Sequence, residues 1–102
     1  MIVNRRIFNF IPGNEEKIIE NLKKVGAEFR WPGNVRVYTT YTGTFNTLVF
    51  EFEFESMAEY EAAWDAWANS KTADWFGSFW QGVELPGGSN ELYRMAFTID
   101  KP

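Results

Sequence analysis

The stretch from Leu48 to Glu55, LVFEFEFE, decides the fold of this chain. Apolar and acidic residues alternate along it without a break, which is the period of a β-strand with two different faces. If Leu48 and the three phenylalanines pack against helices, Glu51 and Glu53 lie on the opposite face of the sheet. Most of what the sequence says about function depends on whether that second face meets water or a ligand.

The residues before this strand predict three further elements. Residues 2–11 alternate loosely and end at a Pro-Gly turn, which predicts a strand. Residues 15–25 carry apolar side chains at helical spacing, with Asn14 as the expected N-cap. Residues 35–41 are rich in Val, Tyr and Thr and favour a strand that pairs antiparallel with LVFEFEFE.

The residues after it predict two helical segments and a last strand. Ser56 and Glu59 form a capping box, which typically opens a helix. Ser70 is expected to cap a second helical segment after a short interruption. The Pro-Gly-Gly-Ser sequence at residues 86–89 predicts a turn, and the alternation over residues 91–99 predicts the final strand.

The order of elements is therefore strand, helix, strand, strand, helix, strand. This order predicts an α+β, ferredoxin-like βαββαβ fold, in which an antiparallel sheet carries both helices on one face. We expect the 102 residues to form a single domain. The other face of the sheet is left uncovered. Because 19% of the residues are aromatic, more than a small core readily hides, that face is expected to need a partner.

Composition excludes several classes of function. The formal charge is -4, with Lys and Arg spread along the chain, so the basic patch that nucleic-acid binding requires is missing. There is no cysteine and no histidine, which removes thiol nucleophiles, the usual catalytic triads, most zinc sites and histidine-ligated haem. The amino terminus has no long apolar segment, so we predict no membrane anchor and a cytoplasmic location.

Three short motifs carry a resemblance to a known family. Residues 6–13, Arg-Ile-Phe-Asn-Phe-Ile-Pro-Gly, are similar to the opening of NIPSNAP-like proteins, with Phe8 in place of the usual tyrosine. Residues 52–59 resemble that family's aromatic strand end running into a Ser-Leu capped helix, with Met57 in place of the leucine. Asp74-Trp75 followed by Phe79 is similar to its "Asp, Pro, any residue, Trp" segment, without the proline.

The resemblance implies membership of the dimeric α+β barrel superfamily, which also includes the antibiotic-biosynthesis monooxygenases. In such a barrel two ferredoxin-like protomers bring their open sheet faces together around a cavity. Glu51 and Glu53 would then point into the barrel or toward its rim. A homodimer is the partner that this resemblance predicts.

Glu51 and Glu53 are the first candidate site residues. Carboxylates closed off by a second subunit would be partly desolvated, which raises the pKa and can produce a base near neutral pH. Alternatively, strand arginines pair with them in a ladder that fixes strand register, or the carboxylates meet water. The arginines on predicted strands are Arg5 or Arg6, Arg36 and Arg94.

The other candidate ligand-binding residues are Arg6, Arg94, Trp64 and Trp75. Arg6 could present a fork of donors to an anionic or carbonyl-bearing ligand, or could pair with a glutamate. The tryptophans lie in helical stripes that predict a core, or a pocket wall for an aromatic ligand. We predict no metal site, because glutamates two apart on a strand are about 7 Å apart and do not converge. No tightly held cofactor is expected.

Three functions follow as alternatives. The first is a homodimer that binds a small apolar or aromatic molecule in an intersubunit or sheet-face cavity. The second is a cofactor-independent enzyme, such as a monooxygenase, cyclase or lyase of the antibiotic-biosynthesis monooxygenase type, in which the protein supplies shape and a few polar groups. The third is a structural or interaction module whose own aromatics fill the cavity. The sequence contains no catalytic motif that chooses between enzyme and binding protein.

Overall fold

A computed structural model describes residues 1–102. Its elements are β1 (Ile2–Phe10), α1 (Glu15–Val25), β2 (Val35–Thr39), β3 (Thr47–Phe54), α2 (Met57–Ala68), α3 (Lys71–Gln81) and β4 (Glu84–Arg94). The four strands form one sheet in the order β2-β3-β1-β4, and every neighbouring pair is antiparallel. The predicted α+β, ferredoxin-like fold is confirmed, with its second helical region divided into α2 and α3. None of the helices has the length and apolar composition needed to cross a bilayer.

The core lies between the sheet and the helices, where the alternation of LVFEFEFE predicts it. Leu48 and Phe54 are almost completely buried, and Phe50 and Phe52 lie between them on the same face. Burying one side chain of this size contributes about 1.5–3 kcal/mol to stability. The other members of the core cluster are Phe10, Ile18, Ala63, Trp80 and Val83.

Two helices begin at the predicted serine caps. The Ser56 Oγ accepts a hydrogen bond from the Glu59 amide at 3.2 Å, and the Glu59 carboxylate accepts one from the Glu55 amide at 3.1 Å. The Ser70 Oγ accepts from the Ala73 amide at 3.0 Å. The two bonds to serine each satisfy a backbone donor that the first turn of a helix leaves unpaired, whereas the Glu55 amide lies one residue before the cap.

Asn14 occupies the N-cap position of α1, but its side chain does not cap the helix. The Asn14 Nδ2 instead donates to the carbonyl oxygen of Ile11 at 2.8 Å. The amide therefore closes the turn that precedes the helix, a competing use of asparagine side chains that sequence spacing does not distinguish.

The last strand begins earlier and ends earlier than the alternation predicts. Gly87 and Gly88 lie inside β4, with φ values of 104° and 97°, where the register with β1 shifts. A Cβ on Gly88 would overlap the carbonyl oxygen of Ile7, so glycine is needed where β4 bulges against β1. Pro86 is tolerated because β4 is an edge strand. The turn residues therefore form a bulge, and no strand extends beyond Arg94.

Candidate functional site

The register between β1 and β3 sends neighbouring arginines to opposite faces of the sheet. Arg5 pairs with Glu51, and Arg6 pairs with Phe50. Arg5 therefore lies on the sheet surface opposite the helices, which we call the open face. Arg6 lies on the helix side, among the phenylalanines of the core.

The open face carries cross-strand ion pairs. The Arg5 Nε donates to the Glu51 Oε2 at 3.0 Å, and the Tyr38 hydroxyl donates to the Glu51 Oε1 at 2.9 Å. Arg36 forms the second pair, with Glu53. These pairs form the ladder of strand arginines and glutamates that the sequence predicts as an alternative to a ligand site. Each pair joins two neighbouring strands.

The hydrogen-bond donors around Glu51 do not favour the role of general base that the sequence suggests for it. The hydrogen bond from Arg5 lowers the pKa of Glu51 below its usual value, and the bond from Tyr38 acts in the same direction, although partial burial opposes both. The raised pKa expected for a carboxylate enclosed by a second subunit stays a prediction, and in the single chain the ion pair lowers the pKa of Glu51. Glu51 is an ionised partner of Arg5 at neutral pH.

The large cavity lies on the helix side of the sheet. Its volume is about 610 Å³, and 13 of its 18 lining residues are hydrophobic, which falls within the ~300–1,000 Å³ typical of small-molecule sites. It is bounded by β1, β2 and β3, by the loop between α1 and β2, and by the helices. The lining residues are Arg6, Phe8, Leu22, Val25, Gly26, Ala27, Phe29, Arg30, Trp31, Gly33, Asn34, Val35, Val37, Phe50, Phe52, Trp64, Trp67 and Phe76.

Trp31 is the centre of the aromatic wall of this cavity. Its ring lies 4.8 Å from that of Phe29, 4.7 Å from that of Phe52 and 4.8 Å from that of Trp64, between centroids. These tilted and edge contacts are the favourable geometries for aromatic pairs. The wall therefore presents several aromatic faces and edges to a flat ligand.

One corner of the cavity is polar, because it is lined by Arg6, which is bonded to Asn4, a residue that does not itself line the cavity. Asn4 is completely buried, and its Nδ2 donates to the Asn90 Oδ1 at 2.7 Å and to the Glu91 carbonyl oxygen at 2.9 Å. Its Oδ1 accepts from the Arg6 Nε at 3.1 Å. Asn4 thus joins β4 to Arg6 and fixes the position of the guanidinium.

Arg6 and Trp64 form a contact at the same corner. The Arg6 Cζ lies 3.7 Å from the centroid of the Trp64 ring, a cation–π distance. Arg6 makes no ion pair, since the two in the structure belong to Arg5 and Arg36. The Trp64 Nε1 is buried and has no hydrogen-bond acceptor in the protein. An unpaired buried donor costs about 1–3 kcal/mol, which an oxygen atom of a bound molecule would recover.

The structure separates the residues that the sequence singles out. Arg6 and Trp64 line the cavity, whereas Glu51 and Glu53 lie on the open face. Arg94 is exposed at the end of β4, opposite Ile2. Trp75 is 46% exposed on α3 and stacks on Phe79 at 6.3 Å between ring centroids.

Sequence reasoning missed Trp31 and the part that Asn4 plays. Trp31 stands in a loop, where helical or strand periodicity gives no indication of burial. The sequence does contain one signal of its burial, a tryptophan directly before Pro32-Gly33, because a tryptophan in a loop is seldom fully exposed to solvent. No group of three or more carboxylates comes together closely enough to hold a metal ion.

Comparison with known proteins identifies the fold of this chain. No protein-family model and no curated protein matches the chain. Among solved structures, an uncharacterized NIPSNAP domain protein from Burkholderia xenovorans is similar over 98% of this chain and 100% of that chain, with 17% identity and a TM-score of 0.79. This chain has the fold of the NIPSNAP domain proteins.

Two further structures agree with this assignment of the fold. A NIPSNAP family protein from Agrobacterium tumefaciens is 16% identical over 95% of each chain, with a TM-score of 0.81. An antibiotic biosynthesis monooxygenase is 9% identical over 94% of this chain and 99% of that chain, with a TM-score of 0.71. At such identities the NIPSNAP-like fold is shared, and shared fold does not establish shared chemistry.

Proposed function

We propose that the chain binds a small apolar or aromatic molecule carrying a carbonyl or anionic oxygen, in the cavity between its sheet and its helices. The observation that carries this proposal is an unsatisfied buried donor on Trp64 beside the guanidinium of Arg6, within a mostly apolar wall. A few fixed polar groups in an apolar cavity are typical of small-molecule sites. The site is on the opposite side of the sheet from the glutamates.

Arg6 can bind an oxygen of the ligand because only one of its three guanidinium nitrogens is bonded to Asn4. The Nε is bonded to Asn4, which leaves the two terminal nitrogens of the guanidinium as donors. Its charge is compensated by the face of Trp64 and by no carboxylate. An oxygen of the ligand would receive charge-assisted hydrogen bonds, which contribute about 1.5–3 kcal/mol each.

Two fluorescent dyes with a common aromatic frame test the proposal. Anilinonaphthalene sulfonate carries an anionic group, and N-phenylnaphthylamine does not. We expect Arg6→Met to weaken binding of the sulfonate dye about tenfold or more and to leave the neutral dye within about twofold. Arg94→Met is the matched control, since Arg94 lies on a strand but does not line the cavity.

Three results would contradict the proposal. If Arg6→Met lowered the affinity for both dyes equally, Arg6 would contribute packing and no charge-specific contact. Equal effects of Arg6→Met and Arg94→Met would place the dye elsewhere. Failure of both dyes to bind the folded wild-type protein would favour the ligand-free interaction module instead.

We also propose that two copies associate through their open faces. Two ion pairs on this face form within each chain, Arg5 with Glu51 and Arg36 with Glu53, which lowers the cost of covering these four groups. Val49 lies among these pairs, half-buried on the same face. Sedimentation equilibrium of the wild type and of Val49→Asp tests this interface. A wild type that is monomeric at micromolar concentration would refute it, as would a dimer that Val49→Asp leaves unchanged.

Cofactor-independent oxygenation is a second candidate, favoured by the fold shared with an antibiotic biosynthesis monooxygenase. With anthrone as a test substrate, one oxygen molecule is consumed for each anthrone. One oxygen atom becomes the new quinone carbonyl, and the other leaves as water with the two hydrogens of the oxidised carbon. Donors at Arg6 and Trp64 would stabilise the enolate from which oxygen takes electrons. Oxygen uptake above background that is lost in Arg6→Met supports this candidate, whereas equal uptake with every variant excludes it.

A further inference from the structure

The cavity between the sheet and the helices is lined by basic side chains and by no acidic one. Arg6 and Arg30 are among its lining residues, whereas no Asp or Glu is. The whole chain has 14 acidic and 10 basic residues, so its charged side chains taken at random would more often be carboxylates. Low-dielectric walls strengthen the field of charges of one sign inside a cleft. The cavity is therefore locally positive within an acidic protein.

Arg30 has no carboxylate partner within the chain. The ion pairs of the structure belong to Arg5 and Arg36. Glu28 is the acidic residue nearest to Arg30 along the sequence, but it neither lines the cavity nor forms an ion pair. Arg30 is exposed, so it lies where the cavity opens to solvent. An anion that enters the cavity can therefore meet the N–H donors of this guanidinium without displacing a carboxylate.

Two tryptophan rings connect Arg6 to the loop that carries Arg30. The Arg6 Cζ lies 3.7 Å from the centroid of the Trp64 ring, and the Trp64 ring lies 4.8 Å from the Trp31 ring between centroids. Trp31 directly follows Arg30 in the chain. A flat molecule that extends along these two rings would have one end at Arg6 and the other end near Arg30.

We propose that the ligand of this cavity carries a second acid group at the end away from Arg6, and that Arg30 binds this group. The ligand class is then a flat aromatic acid, long enough to extend along both tryptophan rings, with an oxygen acceptor at its enclosed end. Arg6 and the Trp64 Nε1 bind the enclosed end, and Arg30 selects acids over neutral analogues at the opening. This inference rests on the proposed function and adds a second point of recognition to the same cavity.

Two naphthalene acids test the inference, because they share one ring system and differ only in the second acid group. The probes are naphthalene-2-carboxylate and naphthalene-2,6-dicarboxylate, and isothermal titration calorimetry measures their dissociation constants. We expect the wild type to bind the dicarboxylate about fivefold or more tightly than the monocarboxylate, the gain that a partly exposed ion pair can supply. Arg30→Met should abolish this preference and leave the affinity for the monocarboxylate within about twofold, because the single acid group is bound at Arg6.

Lys24→Met is the matched control for the loss of one positive charge. Lys24 is exposed in the last turn of α1, next to Val25, but does not line the cavity. This variant should leave the preference for the dicarboxylate within about twofold of the wild type. Arg30 is exposed and forms no ion pair, so Arg30→Met should keep the circular dichroism spectrum and the melting temperature of the wild type. The preference of the wild type should also decrease as sodium chloride is raised, because salt screens exposed charges.

The outcomes separate this inference from the proposed function. Equal affinities of the wild type for the two acids, with both weakened by Arg6→Met, would overturn the second acid site while the proposed function stands. An equal loss of preference in Arg30→Met and Lys24→Met would also overturn it, since long-range attraction and no contact would then be responsible. Failure of both acids to bind a protein that binds the sulfonate dye through Arg6 would overturn this inference alone. Failure of both acids and both dyes would overturn the proposed function as well.

Discussion

Replacing Asn4 with Ala should strongly destabilise this fold. Asn4 is completely buried in β1 and makes three hydrogen bonds, to the Asn90 side chain, to the Glu91 carbonyl oxygen and from the Arg6 Nε. An alanine would remove all three and leave a small void between the sheet and the helices. The bonds to β4 are long-range contacts that hold an edge strand in register.

The magnitude follows from these contacts. Each hydrogen bond contributes about 0.5–1.5 kcal/mol net, and more where the remaining partner is left unsatisfied in the interior. We therefore expect a loss of about 2–4 kcal/mol in the free energy of unfolding. For a domain of this size a loss of that order lowers the melting temperature by about 10–20 °C.

Urea unfolding, followed by tryptophan fluorescence and by circular dichroism, measures the loss. Asn9→Ala is the matched control, because Asn9 lies on the same strand, faces the other way and makes one longer bond, to the Pro86 carbonyl oxygen at 3.3 Å. We expect the control to lose less than about 1 kcal/mol. If Asn4→Ala lost no more than Asn9→Ala, the buried amide would not hold β4 in place, and the polar corner would need another explanation.

Three further outcomes are expected. Gly33→Ala should destabilise the fold by about 1–3 kcal/mol, because its Cβ would overlap the Glu53 carbonyl oxygen, whereas Gly77→Ala in α3 meets open space and should stabilise by about 0.5–1 kcal/mol; melting temperatures that shift alike would refute the steric reasoning. The pKa of Glu51 is lowered in the folded state, so its stabilising contribution is present above its unfolded pKa and is lost as pH falls through the folded pKa. The free energy of unfolding of the wild type, from urea titration, should therefore exceed that of Glu51→Gln at pH 7, by less than about 1 kcal/mol because the ion pair is partly exposed. This difference should disappear in acid; a difference independent of pH would count against the ion pair. The bond to Glu51 raises the pKa of Tyr38, so Glu51→Gln should bring tyrosinate absorbance to lower pH, and an unchanged titration would argue that the bond does not form.

The candidate site shows how far sequence reasoning reaches. Trp64 was identifiable because α2 repeats its apolar residues at helical spacing, and Arg6 because it begins a motif. The sequence allows Glu51 either to bind a ligand or to form an ion pair with a strand arginine. Only the register between strands decides which of these two roles it takes. Trp31 was not identifiable, since its burial depends on how a loop crosses the sheet. The cytoplasmic location and the homodimer stay predictions.

The sequence by itself determined the local structure and the two faces of β3. Strict alternation of phenylalanine and glutamate allows only a strand with one face buried, and serine caps set the starts of α2 and α3, because these signals act over a few neighbouring residues. Which face of the sheet each arginine of β1 joins was decided only by the tertiary structure. Arg5 and Arg6 are adjacent, and a register shift of one residue would exchange their faces. The pairing of Arg6 with Phe50 places its charge beside Trp64, and that long-range pairing puts the polar corner in the cavity between sheet and helices, away from the glutamates.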